Sequence, residues 1–298
     1  MGADIIKNSI YIILAGLFWG IIPLFVRQLQ ETGFDSMETV CIRVTISSIL
    51  LILFIVLKDK SKLRIRLKDI PLFMGTGVLS IVFFNFCYFE AIKIIGGSSL
   101  PALLLYTAPV FVMIISLFLF KEKITKKKVI SLLMTLGGLI LVTGVLSSSG
   151  NISFKAVLLG LGSGLGYALY SIFGKFLVNK YDSLTITTYT FITASIFAIP
   201  ISKITNNISL VFSFNTITSG IALAFVCTVL PFLLYTTGLK KTEAGKASVL
   251  ATIEPFVASI VGLIFFNESI TIEKVSGMLL ILSAVIILNI NKKNIRNA

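Results

Sequence analysis

Two stretches of this chain are copies of one another. Leu100 to Thr125 reads LPALLLYTAPVFVMIISLFLFKEKIT, and Ala247 to Thr271 reads ASVLATIEPFVASIVGLIFFNESIT. Pro109 and Pro255, Glu122 and Glu268, and Thr125 and Thr271 all pair at one offset, 146 residues. An apolar segment with a central proline and a Glu-x-Ile-Thr exit therefore occurs twice. Each copy holds about 20 apolar residues, which at a rise of about 1.5 Å per residue crosses a hydrocarbon core of about 30 Å. In lipid every backbone N–H and C=O must be satisfied internally, so such segments are restricted to membrane-spanning helices.

Composition excludes a soluble alternative. Over 298 residues only 13% are charged and the mean hydropathy is +1.00, whereas soluble chains carry about 25% charged residues. Ten apolar segments can be read: Ile10 to Val26, Thr39 to Leu57, Ile70 to Phe89, Ser98 to Phe120, Val129 to Leu146, Ala156 to Val178, Leu184 to Ile201, Ile217 to Leu239, Ala247 to Phe266 and Val275 to Ile290. The first runs too far for a signal peptide's apolar region and lacks a small-residue cleavage site, so it is expected to remain as a span. The short connections leave no room for a soluble domain.

Alternate connections differ in their basic residues. One side collects 20 of the 26 Lys and Arg residues, above all the Lys58 to Lys68 and Lys121 to Lys128 clusters, and the other side five, with Arg43 inside a span. This bias predicts that both termini are cytoplasmic, which requires an even number of spans. It also accounts for the formal charge of +13 without a nucleic-acid partner.

Five spans per half is an odd number, so the second half must enter the membrane inverted relative to the first. Gly16 with Gly164, Trp19 with Tyr167 and Arg27 with Lys175, all at an offset of 148, extend the duplication to the first span of each half. The expected fold is an all-α integral membrane protein of ten transmembrane helices, built as two inverted five-helix repeats over residues 1–147 and 154–291. Inverted repeats enclosing a midplane site are a recurrent architecture of secondary transporters, because exchanging the conformations of the halves moves the opening from one side to the other.

The absences are informative as well. The chain has no histidine, which removes the commonest general base, metal ligand and proton relay. Cys41, Cys87 and Cys227 lie apart within apolar runs, suggesting neither a disulfide framework nor a metal site. The run Gly160 to Gly166 lacks the spacing and the preceding strand of a dinucleotide fingerprint. It reads instead as overlapping small-residue contacts, Gly160 with Gly164 and Gly162 with Gly166, that let helices approach closely. No catalytic constellation, cofactor or metal is expected.

Together these residues carry a family likeness. The Trp19-Gly20 pair, Tyr88 to Ala91 leading into Gly96-Gly97-Ser98-Ser99, the mid-span Pro109, the exit Phe120-Lys121-Glu122, then Glu254-Pro255-Phe256 and Phe266-Asn267-Glu268 resemble the EamA-type branch of the drug/metabolite transporter superfamily. The likeness covers essentially the whole chain and rests on the order of the motifs with the five-plus-five duplication. One departure is Gly166-Tyr167, where the family often repeats a Trp-Gly-like pair. The resemblance implies a multi-pass permease of the bacterial inner membrane. It would usually export amino acids, metabolites or drugs through a central cavity between its halves. A channel or structural membrane protein is the alternative, with an integral-membrane enzyme further off.

Site residues follow from chemistry and from that resemblance. Mid-span prolines free a carbonyl that lipid cannot satisfy, so Pro23, Pro109, Pro231 and Pro255 should face protein or a wet cavity. The resemblance sets the spans bearing Trp19, Asn85, Tyr106 and Tyr170 around the cavity. Tyr88 and Tyr235 join them as aromatic residues with polar tips, for which interfacial anchoring or helix packing is the competing role. Three charged groups look committed to the membrane: Arg43, Glu90 and Glu254. Arg43 and Glu90 fall toward the outer ends of their spans, where they are placed to form an ion pair, with a simple interfacial location the alternative for Glu90. Glu254, near mid-depth beside Pro255, is the leading candidate for proton coupling, with Glu90 second, and capping of the broken backbone is its structural alternative. The expected partners are a small-molecule substrate, the lipid bilayer and protons as a coupling ion.

Overall fold

The computed structural model describes the backbone of residues 2–147 and 153–289, with side chains over 7–146 and 153–289. Lys292, Lys293 and Arg296 of the basic count, the first residue of the first expected repeat and residues 290–291 of the second lie outside the described residues. Among those described the chain is helical, with no strand. Nine helices among the described residues are long and apolar enough to cross a membrane: α1 (Lys7–Glu31), α2 (Ser36–Lys58), α3 (Leu67–Ile95), α4 (Ser99–Leu119), then, after a shorter helix α5 (Lys126–Thr143), α6 (Phe154–Leu177), α7 (Ser183–Ser202), α8 (Phe214–Leu239), α9 (Ala244–Phe265) and α10 (Ile272–Asn289).

Helix α5 occupies the place of the expected span Val129 to Leu146 and departs from it for a clear reason. Its first turn is Lys126-Lys127-Lys128 and it stops at Gly144, whose φ is +61°. Only about 15 apolar residues remain, roughly 22 Å of helix. It packs along α10 where Gly138 and Gly277 let the two backbones touch, a Cβ on either meeting the other's carbonyl oxygen at 2.5 to 2.6 Å.

The halves are interleaved. Helix α1 packs on α8 and α9, while α6, its repeat mate, packs on α3 and α4; α2 pairs with α7 and α5 with α10. This pattern is unchanged when the halves are exchanged. Large apolar side chains such as Leu53, Phe118, Leu133, Leu158, Ile196 and Ile264 remain exposed on the outside, as a lipid-facing surface requires. Inside, hydroxyls pair between helices: Thr45 with Ser195 at 2.8 Å, Thr76 with Thr190 at 2.7 Å and Ser171 with Tyr235 at 2.6 Å. Interhelical hydrogen bonds of this kind hold apolar helices together where no hydrophobic drive separates protein from lipid.

Prolines mark the breaks in three spans, and two of them, Pro109 and Pro255, stand at matched places. Pro23, Pro109 and Pro255 each stand in the first turn of a new helical segment, after interruptions at Ile21, at Tyr106-Thr107 and at Thr252-Ile253. Lacking an N–H, each proline suits a first turn, where that donor has no partner to lose. Hydroxyls at two of the breaks bond back to the preceding turn: the Thr107 hydroxyl donates to the Leu104 carbonyl and the Thr252 hydroxyl to the Val249 carbonyl, both at 2.6 Å. Pro231 instead follows a single wide π turn, Phe225–Val229, and Gly75–Val82 of α3 is wound the same way.

The other half also comes close at the breaks. A Cβ on Gly16 would lie 2.8 Å from the Ala251 carbonyl oxygen, and one on Gly164 would lie 2.7 Å from that of Leu104. The first helix of each half thus presses a glycine against the broken helix of the other. Gly160 joins Gly164 against α4, and Gly162 and Gly166 face α3, so the glycine run serves close packing.

Candidate functional site

One cavity of about 670 Å³ opens between the halves, within the range of about 300–1,000 Å³ usual for small-molecule sites. Its mouth is formed by Ser98 and Ser99 at the start of α4 together with Glu268 and Lys274, and it opens on the face carrying the α3–α4 and α9–α10 connections. Trp19, Pro23, Phe84, Tyr88, Phe89 and Tyr106 make an aromatic and apolar wall; Thr39, Asn85, Thr143 and Ser259 add short polar groups. Asn85 is turned partly inward on its own helix, donating to the Ile81 carbonyl at 2.7 Å.

Two charges face the deeper part, Arg43 from α2 and Glu254 from α9. Arg43 is 8% exposed and its Nε has no hydrogen-bond partner. Among the described residues no carboxylate lies within 4.0 Å of it. Glu254 opens the second segment of α9 and accepts a hydrogen bond from the Tyr167 hydroxyl at 3.0 Å, with the Tyr106 hydroxyl beside the same carboxylate. An unpaired buried guanidinium is costly unless a ligand or water completes it. Its planar fork matches a carboxylate, whereas Glu254 suits a cation or a proton.

Arg43 and Glu90 do not form the ion pair open to them. Glu90 pairs instead with Lys93, three residues on along the same helix, at 2.8 Å. That places its carboxylate on an exposed helix face, outside the cavity, because Glu90 and Asn85 differ by five positions and point apart. Pro109 is buried in packing and does not line the cavity, and Pro255 does. Tyr170 and Tyr235 lie below, around a small void of about 30 Å³ that also touches Trp19, Tyr167 and Phe232.

That void marks the floor. Trp19 meets Phe232, Tyr235 and Tyr167 with ring centroids 5.2, 5.4 and 6.3 Å apart. Tyr170 donates or accepts at 2.7 Å with Thr236, closing the layer beneath. Trp19 is therefore shared between the cavity wall and its seal. Tyr167 is the residue the sequence reading undervalued: its pairing with Trp19 at offset 148 signalled a place near the centre, but its bond to Glu254 required the fold.

Below the floor the opposite face is closed by charge. Glu122 accepts from the Ala244 N–H at 2.6 Å and the Gly245 N–H at 3.0 Å. Lys128, 4% exposed, reaches Glu243 at 2.7 Å and the Lys123 carbonyl at 3.0 Å. Lys175 donates to the carbonyls of Leu239 and Thr242. None of these groups lines the cavity.

Known proteins share this build. The model of the EamA-like transporter family matches residues 7–144 and again 154–290. An uncharacterized transporter of Archaeoglobus fulgidus is 27% identical, the match covering 94% of this chain and 98% of that protein. The uncharacterized transporter YvbV of Bacillus subtilis is 25% identical over 85% of this chain and 82% of its own length. A protein of Salmonella typhimurium named a probable amino-acid metabolite efflux pump is 24% identical over 73% of this chain and 76% of its own. A crystal structure 17% identical in sequence superposes with a TM-score of 0.75, covering 94% of this chain and 95% of the other, and shows the same fold.

Proposed function

The chain belongs to the EamA-like transporter family, and on that premise we propose that it is a secondary transporter that exports amino-acid-sized zwitterions by alternating access. The family and its named relatives are transporters rather than enzymes, and the chain is a multi-pass protein of the cytoplasmic membrane. The finer reading rests on one observation: a single cavity of about 670 Å³ holds an unpaired cation, Arg43, and a separate carboxylate, Glu254, between aromatic walls. A substrate carboxylate docks on Arg43, its ammonium turns to Glu254, and its side chain lies against Trp19, Tyr88 and Tyr106. The name of the Salmonella relative belongs to the same chemical class.

In this reading α5 completes ten spans, residues 1–147 and 154–291 are the inverted repeats, and both termini are cytoplasmic, as the basic-residue bias requires. The cavity mouth is then on the outer face, and the arrangement described is the outward-open state. Glu254 exchanges its proton for the substrate ammonium, which couples export to the proton gradient.

Counterflow in proteoliposomes tests the proposal, using the proteinogenic L-amino acids as a radiolabelled panel. A saturable, trans-stimulated flux of at least one of them is expected, and Arg43→Gln is expected to weaken it about tenfold or more, the loss of one charge-assisted hydrogen bond. A channel gives no trans-stimulation. Absence of counterflow for the whole panel, or an undiminished flux in Arg43→Gln, overturns the reading.

A further inference from the structure

The exits of the two copied helices have the same local backbone and different surroundings. Lys121 and Asn267, 146 residues apart, both adopt the left-handed region, at φ +54° and +52°. The next residue, Glu122 or Glu268, donates its N–H to the carbonyl of Ser116 at 3.2 Å or of Gly262 at 3.1 Å, again a pair at offset 146. Thr125 and Thr271 then accept at Oγ1 from the amides of Lys128 and Lys274, at 3.4 and 3.2 Å. A non-glycine residue at positive φ is uncommon, so its recurrence at matched positions marks one built turn used twice.

The side chains part company from there. Glu122 is buried and spans two backbone amides of the other half, at Ala244 and Gly245, with the Lys128 ammonium 3.8 Å away. Glu268 is half-exposed at the cavity mouth and, among the described residues, its carboxylate is held by Lys274 at 2.9 Å. Shifting Ala244 and Gly245 by 146 gives Ser98 and Ser99, which stand at that same mouth. The neighbouring cations repeat the contrast: Lys175 binds the Leu239 and Thr242 carbonyls on the closed face, whereas Arg27, its mate at offset 148, is turned to Glu31 at 3.1 Å on the open one.

We propose that Glu122 and Glu268 are alternating latches of the transport cycle: Glu122 holds the Ala244 and Gly245 amides while the cavity opens on this face, and Glu268 takes the Ser98 and Ser99 amides when it opens on the other. Lys274 then stands where Lys128 stands now, and Glu122 is released toward its own aqueous side. A carboxylate has two acceptor oxygens for two amides; a carboxamide has one and opposes a donor to the second amide. The proposal rests on the alternating-access reading above.

Accessibility of a cavity position reads the balance between the two states. Ala258→Cys lines the cavity, while Cys41, Cys87 and Cys227 are buried, so an impermeant maleimide outside intact cells reports opening on this face. Glu122→Gln, which weakens the latch in use, is expected to slow that labelling about tenfold, the population shift produced by one lost charge-assisted bond. Glu268→Gln is expected not to slow it. The double variant, with both latches weakened, returns toward the rate of Ala258→Cys alone, whereas damage to folding at Glu122 is not repaired by a second substitution at the opposite face. Unchanged labelling in Glu122→Gln, or a double variant as slow as Glu122→Gln, overturns the latches. Counterflow with the amino-acid panel, run on the unsubstituted protein, separates the two ideas. Flux without these labelling changes removes the latches alone, and no flux removes the transport reading.

Discussion

A charged residue inside a membrane costs a few kcal/mol on insertion scales and is kept where it faces a cavity or a partner. Glu254 meets both conditions, lining the cavity while accepting from the Tyr167 hydroxyl at 3.0 Å. Glu254→Gln preserves an acceptor for Tyr167 and the shape of the helix start but cannot take up or release a proton. Uptake driven by an imposed proton gradient in inverted vesicles is therefore expected to fall about tenfold or more, with protein levels and thermal stability in detergent unchanged. Gradient-driven uptake at the unsubstituted rate shows instead that the residue only supports the backbone broken before Pro255. How far such roles were readable from the chain depends on what each residue is measured against. Glu254 stood out because depth along a span follows from counting at a fixed rise per residue. The same count put Arg43 and Glu90 at similar depths, but depth says nothing of azimuth, and Glu90 turned to Lys93 on its own helix. Tyr167 was hidden for a related reason: its partner lies 87 residues away, and only the packing of α6 against α9 brings them together.

Helices in lipid gain little from hydrophobic burial, so close packing of small residues carries much of their association. The two glycine pairs of α6 separate this effect into a test. A Cβ at Gly164 would stand 2.7 Å from the Leu104 carbonyl oxygen and 2.8 Å from the Thr107 hydroxyl, at the break of α4, whereas one at Gly162 would meet its nearest neighbour, the Cys87 sulfur, at 3.4 Å. Gly164→Ala is expected to destabilise the protein by about 1–3 kcal/mol through overpacking against a backbone that cannot retreat. Gly162→Ala should leave the melting temperature in detergent within experimental scatter. Equal melting temperatures for the two variants would remove the claim that α6 is fitted to the break of α4. The interruptions themselves were readable from Pro23, Pro109 and Pro255, since proline fixes where a helix can restart. The wide turns at Gly75–Val82 and Phe225–Val229 were not, because no residue type encodes them and they arise from packing against neighbours. Helix α5 shows the limit of hydropathy alone: its lysine turn and Gly144 end shorten the apolar length that a run of residues from Val129 to Leu146 suggested.

For the whole molecule, the packing of the halves and the distribution of charge constrain one another. Exchanging the halves leaves the helix pairing unchanged, with α1 on α8 and α9 answered by α6 on α3 and α4. Such an exchange relates two sides of a membrane only if the halves are inverted, the inversion that the proposed five spans in each half would impose. The proposed orientation rests independently on the 20-to-5 division of basic residues, since Lys and Arg in short loops tend to be retained in the cytoplasm. The loops joining α2 to α3 and α7 to α8 lie on opposite sides in an inverted arrangement. Ser61 is exposed in the turn Lys60–Leu63, amid the largest basic cluster, and Asn206 is exposed in the turn Ile204–Asn207. Single cysteines at these positions, probed with an impermeant maleimide in intact cells and again after permeabilisation, give the deciding measurement. Ser61→Cys is expected to react only after permeabilisation and Asn206→Cys in intact cells. Reaction of both from the same side would break the inverted relation and, with it, the outward-open assignment of the cavity. Reaction from opposite sides but in the reverse sense would keep the repeat and turn the cavity mouth, with Arg43 and Glu254 behind it, toward the cytoplasm.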